Sequence, residues 1–199
     1  MPLPKGSNPN HPKLGSSIKV EPIRTKKAIS GIKQLLSGSP RDLCLFTLGI
    51  NTAYRANELL SLKAGQVRYL GIGDVIDLKQ SKTDRYRLVT LNSKAVSVIQ
   101  SLLRSRVFED EDYLFWSLHG PVLQVPTVTN MVKRWCRLVG LNGHYGSHTL
   151  RKTWGYWQYK RHTPIPLLME AFGHKSQQQT MAYLGIQSKD VARIFEMEL

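Results

Sequence analysis

Between positions 55 and 183 the sequence carries a series of residues whose types and spacing suit chemistry on a phosphate. His148 and Arg151 stand three apart in Ser147-His148-Thr149-Leu150-Arg151, so on a helix they share a face. An arginine can grip two phosphate oxygens in a fork while an imidazole donates or relays a proton. Arg55 lies in Thr52-Ala53-Tyr54-Arg55-Ala56-Asn57-Glu58-Leu59-Leu60, and Glu58, one turn along, is placed to hold its guanidinium. Lys82 sits in Ser81-Lys82-Thr83-Asp84, with Arg85 and Arg87 following. An ammonium on such a turn can reach a ligand and donate a proton, and Lys79 competes for that role. Gly173-His174 ends a helical pattern, and Tyr183 on the next short helix supplies a phenol. Tyr156 and Tyr159 are its rivals, although Tyr156, between Trp154 and Trp157, reads as packing.

Taken singly, each feature has an ordinary explanation. A His-x-x-Arg pair occurs on many solvated helix faces. Arg55 and Glu58 have the spacing of a surface ion pair worth ~0.5 kcal/mol. Turns are often polar, glycine commonly stops helices, and most buried tyrosines are core residues.

The elements that must position these groups are largely helical. Residues 1–17, rich in Pro, Gly, Ser and Asn, read as a flexible tail, followed by an extended stretch at Ile18–Arg24. Thr25 is placed to cap a helix toward Leu36. Ser39 and Pro40 then start a second, through the apolar run to Ile50, and a third fits Ala56–Lys63. Alternating and β-branched residues at Val75–Lys79 and Arg85–Leu91 predict a hairpin with a basic tip. A strand near Val67–Leu70 would complete a three-stranded sheet. Helical patterns return at Ser93–Arg106, Thr127–Gly140 and Ser147–Lys160, then from Pro164 to Gly173 and from Ser176 to Leu184. A short C-terminal helix follows Ser188-Lys189-Asp190. The expected class is mainly α with a small antiparallel three-stranded sheet, an α+β arrangement.

Composition narrows the partner. Lys and Arg number 28 against 14 Asp and Glu, a formal net charge of +14, which points to a polyanion and to nucleic acid before membrane. The longest apolar stretch, Leu43–Ile50, is far too short for a bilayer span. Cys44 and Cys136 lie far apart and have no metal-ligand spacing, so two buried thiols in a reducing compartment are expected.

In order, the arginine, the hairpin lysine, the His-x-x-Arg pair, the Gly-His and the tyrosine resemble the catalytic domain of tyrosine recombinases, the phage integrase family. The motifs TAYRANELLSL, SKTDRYRLVTL, SHTLRKT, FGHKS and MAY carry the resemblance from about Ile18 to the chain end. It implies six catalytic positions: Arg55, Lys82, His148, Arg151, His174 and Tyr183, with Glu58 supporting the arginine. It departs from the family at Lys152, where a His often follows the second arginine, at Phe172 before Gly-His, and at Leu184-Gly185 after the tyrosine. The implied reaction is attack of Tyr183 on a DNA phosphodiester, giving a 3′-phosphotyrosyl link and a free 5′-hydroxyl. His148 would take the phenol proton. Arg55, Arg151 and His174 would stabilise the phosphate charge, and Lys82 would protonate the leaving oxygen. No metal or nucleotide cofactor is implied.

The resemblance assigns residues 18–199 to the catalytic domain; members of the family usually carry a helical core-binding domain ahead of it, and residues 1–17 are expected to be only a tail, a further departure. It implies double-stranded DNA as partner, gripped in part by Lys26, Lys27, Arg85, Arg87, Lys152 and Lys175. It also implies a homo-oligomer, dimer or tetramer, on that DNA, and an accessory DNA-binding protein is a further candidate partner. A cytoplasmic, nucleoid-associated location is expected, without membrane contact. A DNA-binding regulator without strand exchange is the competing reading.

Overall fold

Thr25 begins the first helix as its sequence suggests: the side-chain oxygen accepts the Ala28 N–H at 3.2 Å, and α1 runs Lys26–Leu35. The structure is a computed structural model that describes residues 20–79, 86–186 and 193–196. Helix α2 (Pro40–Gly49) follows, with Pro40 in the first turn and six consecutive buried residues from Cys44 to Gly49. Helix α3 (Ala56–Leu60) is shorter than expected, because Lys63 leaves the helix to form a β-bridge with Tyr113. Strands β1 (Val75–Lys79) and β2 (Tyr86–Thr90) pair antiparallel, Val75 opposite Thr90 and Lys79 opposite Tyr86. Helices α4 (Ser93–Arg104), α5 (Val125–Leu138), α6 (Ser147–Lys160), α7 (Ile165–Phe172) and α8 (Gln177–Leu184) complete the order, with a short 3-10 helix at Arg193–Glu196.

The sheet has two strands among the described residues, which corrects the expectation of three. Residues 67 to 70 form successive turns, closed by Val67 N–H to Ala64 O and Leu70 N–H to Val67 O. In a strand Val67 and Tyr69 would face the same side. Instead Val67 is 1% exposed and Tyr69 88%. The C-terminal helix expected after Ser188 begins outside the described residues.

The main core lies between α1, α2, α4, α5 and the inner face of the hairpin, where Ile76 and Leu78 are buried. Cys44 and Cys136 are both buried there. A smaller cluster of Ala53, Leu168 and Phe172 joins α6, α7 and α8, with Trp154, Ile165, Tyr183 and Leu184 against it. Two glycines permit these contacts. A Cβ on Gly49 would stand 2.6 Å from Leu150 Cδ1, and one on Gly155 would stand 2.4 Å from Phe172 Cζ. The extended segment ahead of α1 is pinned to α6: Ile23 N–H donates to Thr153 Oγ1 at 2.8 Å, and Trp157 Nε1 donates to Ile23 O at 3.1 Å. Tyr54 donates its hydroxyl to Ile76 O at 3.1 Å, so the base of the hairpin is fixed beside Arg55.

Candidate active site

Arg55 is the N-cap of α3, and Glu58 in the first turn reaches back to it. Glu58 Oε2 accepts the Arg55 backbone N–H at 2.6 Å, while Oε1 accepts from Arg55 Nη1 at 2.8 Å. One carboxylate therefore starts the helix and fixes the guanidinium. Ahead of it, Ala53 has a φ of 56°, a left-handed conformation that costs an alanine about 1 kcal/mol. That turn aims its carbonyl at α6.

Helix α6 starts at Ser147 after an extended Gly146, whose N–H donates to Thr149 Oγ1 at 3.0 Å. This start puts His148 and Arg151 in the first turns. Arg151 is 2% exposed. Its Nη1 donates to Ala53 O at 2.8 Å, its Nη2 donates to Phe172 O, and Glu58 Oε2 lies 3.9 Å from Nη1. The guanidinium also lies over the Phe172 ring, 5.0 Å from its centroid. Partial burial, then the charges of Arg151, Arg55 and Lys152, lower the His148 pKa below its ordinary 6.5. The imidazole is thus held in the neutral form that can accept a proton.

Helix α7 ends on Gly173 in the left-handed region, φ 61°, with His174 N–H donating to Met169 O at 3.0 Å. This ending exposes the Phe172 carbonyl to Arg151 and turns His174 back over Phe172. The two rings stack with centroids 5.0 Å apart. His174 Nδ1 and Thr180 Oγ1 form a 3.0 Å hydrogen bond that orients the imidazole. Tyr183 packs edge-on to both, at 5.1 Å from Phe172 and 5.1 Å from His174. Its hydroxyl oxygen is shielded from solvent. The ammonium of Lys152 lies over its ring, 5.0 Å from the centroid.

Arg55, Glu58, Arg151, His174 and Tyr183 thus belong to one connected cluster, and His148 lies near enough to Arg151 and Arg55 for their charges to lower its pKa. Lys82 and Arg85 lie outside the described residues. Arg87 is on β2 opposite Leu78. Lys26 and Lys27 are exposed in the first turn of α1, and Lys26 lies 5.9 Å from the centroid of the Trp157 ring. Lys175 is exposed next to His174, whereas Lys152 is half-buried against Tyr183. The rival Tyr156 packs edge-on against Trp157. Among the described residues, no three His, Cys, Asp or Glu side chains converge as a metal site would require. No described helix is long and apolar enough to cross a membrane.

Sequence reasoning missed Ala53, Phe172 and Thr180. Thr180 precedes Tyr183 by three positions and so shares its helix face, a readable signal. Phe172 was readable as the last residue before a glycine helix stop, where carbonyls are left to find donors. Ala53 gave no signal, since alanine is not a residue expected at positive φ.

The phage integrase family matches residues 25–189 of the chain. A probable integrase/recombinase, YoeC of Bacillus subtilis strain 168, is 32% identical over 170 residues, covering 84% of this chain and 90% of that protein. The tyrosine recombinase XerH of Helicobacter pylori is 30% identical over 164 residues, 79% of this chain and 44% of XerH. The chain likewise spans only 54% of a tyrosine recombinase of Pseudothermotoga lettingae and 51% of XerC of Actinobacillus pleuropneumoniae. Among solved structures, XerA recombinase shares the fold with a TM-score of 0.73 at 20% identity, covering 88% of this chain and 65% of that one. XerH bound to a palindromic difH substrate in a post-cleavage complex has a TM-score of 0.69 at 26% identity, covering 86% of this chain and 51% of that one.

Proposed function

The chain belongs to the phage integrase family, and on that premise we propose that it is a tyrosine-type site-specific recombinase that cleaves and rejoins duplex DNA through a 3′-phosphotyrosyl link. The observation that carries the reading is the bracing of Arg55 and Arg151 by Glu58, with Arg151 tied through Phe172 to His174 and Tyr183. Two guanidiniums, an imidazole and a phenol on one connected frame suit an in-line displacement at phosphorus.

In this reaction the Tyr183 oxygen attacks the phosphorus and forms the P–O bond as the 5′-oxygen leaves. A phenol with an ordinary pKa near ~10 is a weak nucleophile at neutral pH, so its proton passes to His148, held neutral by its surroundings. Arg55 and Arg151 meet the charge that grows on the non-bridging oxygens, and His174 adds a hydrogen bond. Each such donor typically contributes about 10²–10³ in rate. Lys82 protonates the leaving 5′-oxygen. The reverse sequence, with a new 5′-hydroxyl attacking the phosphotyrosine, rejoins the strand and conserves the phosphodiester energy.

Residues 18–199 form the catalytic domain in this reading. Lys26, Lys27, Arg85, Arg87 and Lys175 contribute phosphate contacts whose affinity falls with salt. The XerH neighbour was solved on its difH substrate, and a lambda integrase of the same fold (TM-score 0.62, 20% identity, covering 85% of this chain and 60% of that one) was solved as a dimer bound to a core site, which supports a DNA-bound oligomer here.

The test is a pool of duplexes with a randomised core and a nick placed so that the released fragment diffuses away. The protein should form a covalent adduct that survives a denaturing gel and disappears in Tyr183→Phe. DNA retention without any adduct in the wild-type protein would overturn the proposal.

A further inference from the structure

Lys152 follows Arg151 on α6, and its side chain is half-buried. Its stem runs toward α8, and its ammonium rests over the face of Tyr183, 5.0 Å from the ring centroid. The negative face of an aromatic ring attracts a cation within about 6 Å. On ionisation the phenol's new negative charge spreads into the ring, so the same ammonium binds phenolate more strongly than phenol. Interactions that strengthen as a reaction proceeds are the ones that raise its rate.

We propose that Lys152 is a positioning residue for Tyr183, holding the ring on its face and favouring the phenolate. The inference rests on the reading of Tyr183 as nucleophile. The charged and titratable groups on the elements packed against α8 fit it. From α6, Arg151 lies on the Phe172 ring and Lys152 on the Tyr183 ring. From the end of α7, His174 meets the Tyr183 ring edge-on, and Glu170 is exposed. His148, in the first turn of α6, feels the same ammonium, which helps keep it unprotonated. One lysine thus acts on both the group that loses a proton and the group that accepts it.

The decisive comparison uses the full chain labelled at tyrosine Cζ, with the Tyr183 resonance identified by its loss in Tyr183→Phe. Lys152→Met keeps the apolar stem and removes the charge, whereas Lys152→Arg keeps a cation. In Lys152→Met the Tyr183 titration should move up by about one pH unit, and adduct formation at neutral pH should fall ~tenfold. The rate deficit should shrink as the pH rises, and Lys152→Arg should restore both readouts. An unmoved Tyr183 titration in Lys152→Met, or a Lys152→Arg as impaired as Lys152→Met, would overturn the inference. A wild-type protein that forms no adduct would sink the recombinase reading, while the titration would still decide the Lys152 contact.

Discussion

Glu58 Oε2 lies 3.9 Å from Nη1 of Arg151, although the two residues belong to helices 93 positions apart in sequence (151 − 58). The same carboxylate accepts both the backbone N–H and the guanidinium of Arg55. Glu58 and Arg151 side chains are 7% and 3% exposed, so the pair is shut off from water. Such a pair gives little net stability against an apolar substitute, but removing one member strands the other.

Glu58→Ala is therefore expected to lower unfolding free energy by about 3 kcal/mol, since it leaves Arg151 under-compensated and α3 without its acceptor. Glu58→Gln keeps an oxygen for the Arg55 N–H and should lose about half as much. Urea unfolding of the three proteins measures this directly. Equal midpoints for Glu58→Ala and the wild type would show that the carboxylate does not support Arg151.

Gly155→Ala tests how closely α6 must approach the small cluster. The new methyl would meet Phe172 Cζ at 2.4 Å and Leu184 Cδ2 at 2.9 Å. Phe172 has little freedom to retreat, because Trp154, His174 and Tyr183 surround its ring. A stability loss of about 2 kcal/mol is expected, together with a large fall in adduct formation. Gly49→Ala, which would press on Leu150 instead, should cost similar stability and spare the adduct. If both variants lose the adduct equally, the effect is global instability and not displacement of Tyr183.

The contrast between these glycines shows what the sequence could and could not reveal. Helix starts were legible because they are local: Thr25, Pro40 and Ser176 each act within one turn of themselves. The candidate site was legible by residue type, since few combinations of Arg, His and Tyr serve a phosphate. Its frame was not, because Ala53 O and Phe172 O bind Arg151 through backbone atoms that any residue carries. Residues 67–70 failed as a strand for a related reason. Arg68 bonds to Phe108 O and Asp110, contacts distant in sequence, and these hold the segment in turns. Nor did the spacing of Lys152 show that its ammonium would lie over the Tyr183 ring of α8.

Both cysteines should be silent to thiol reagents in the folded protein. Burial raises the Cys44 thiol pKa far above its ordinary value and pushes that of Cys136 up to about 12. The thiolate is the reactive species, so it is essentially absent at neutral pH. Titration with an aromatic disulfide reagent should label neither cysteine natively and both in denaturant. Rapid labelling of Cys136 in the native protein would mean that the α5 side of the core opens readily.

The depressed pKa of His148 links activity and stability to pH with a definite sign. The folded chain resists protonation of this imidazole, through burial and then the charges of Arg151, Arg55 and Lys152, while the unfolded chain protonates near the ordinary 6.5. Below that value the unfolded state binds the extra proton, so stability falls as the pH drops toward the folded pKa and levels off beneath it. Above 6.5 both states are neutral and the contribution vanishes. Urea midpoints from pH 5 to 8 should therefore slope more steeply in the wild type than in His148→Gln below about pH 6.5. Adduct formation should fall along an acid limb centred on the folded pKa, which lies below that same value. In Arg55→Gln one repelling charge is gone, so the limb should move toward higher pH even as the rate falls. An acid limb that stays in place in Arg55→Gln, or a slope that survives His148→Gln, would remove His148 from the role of base.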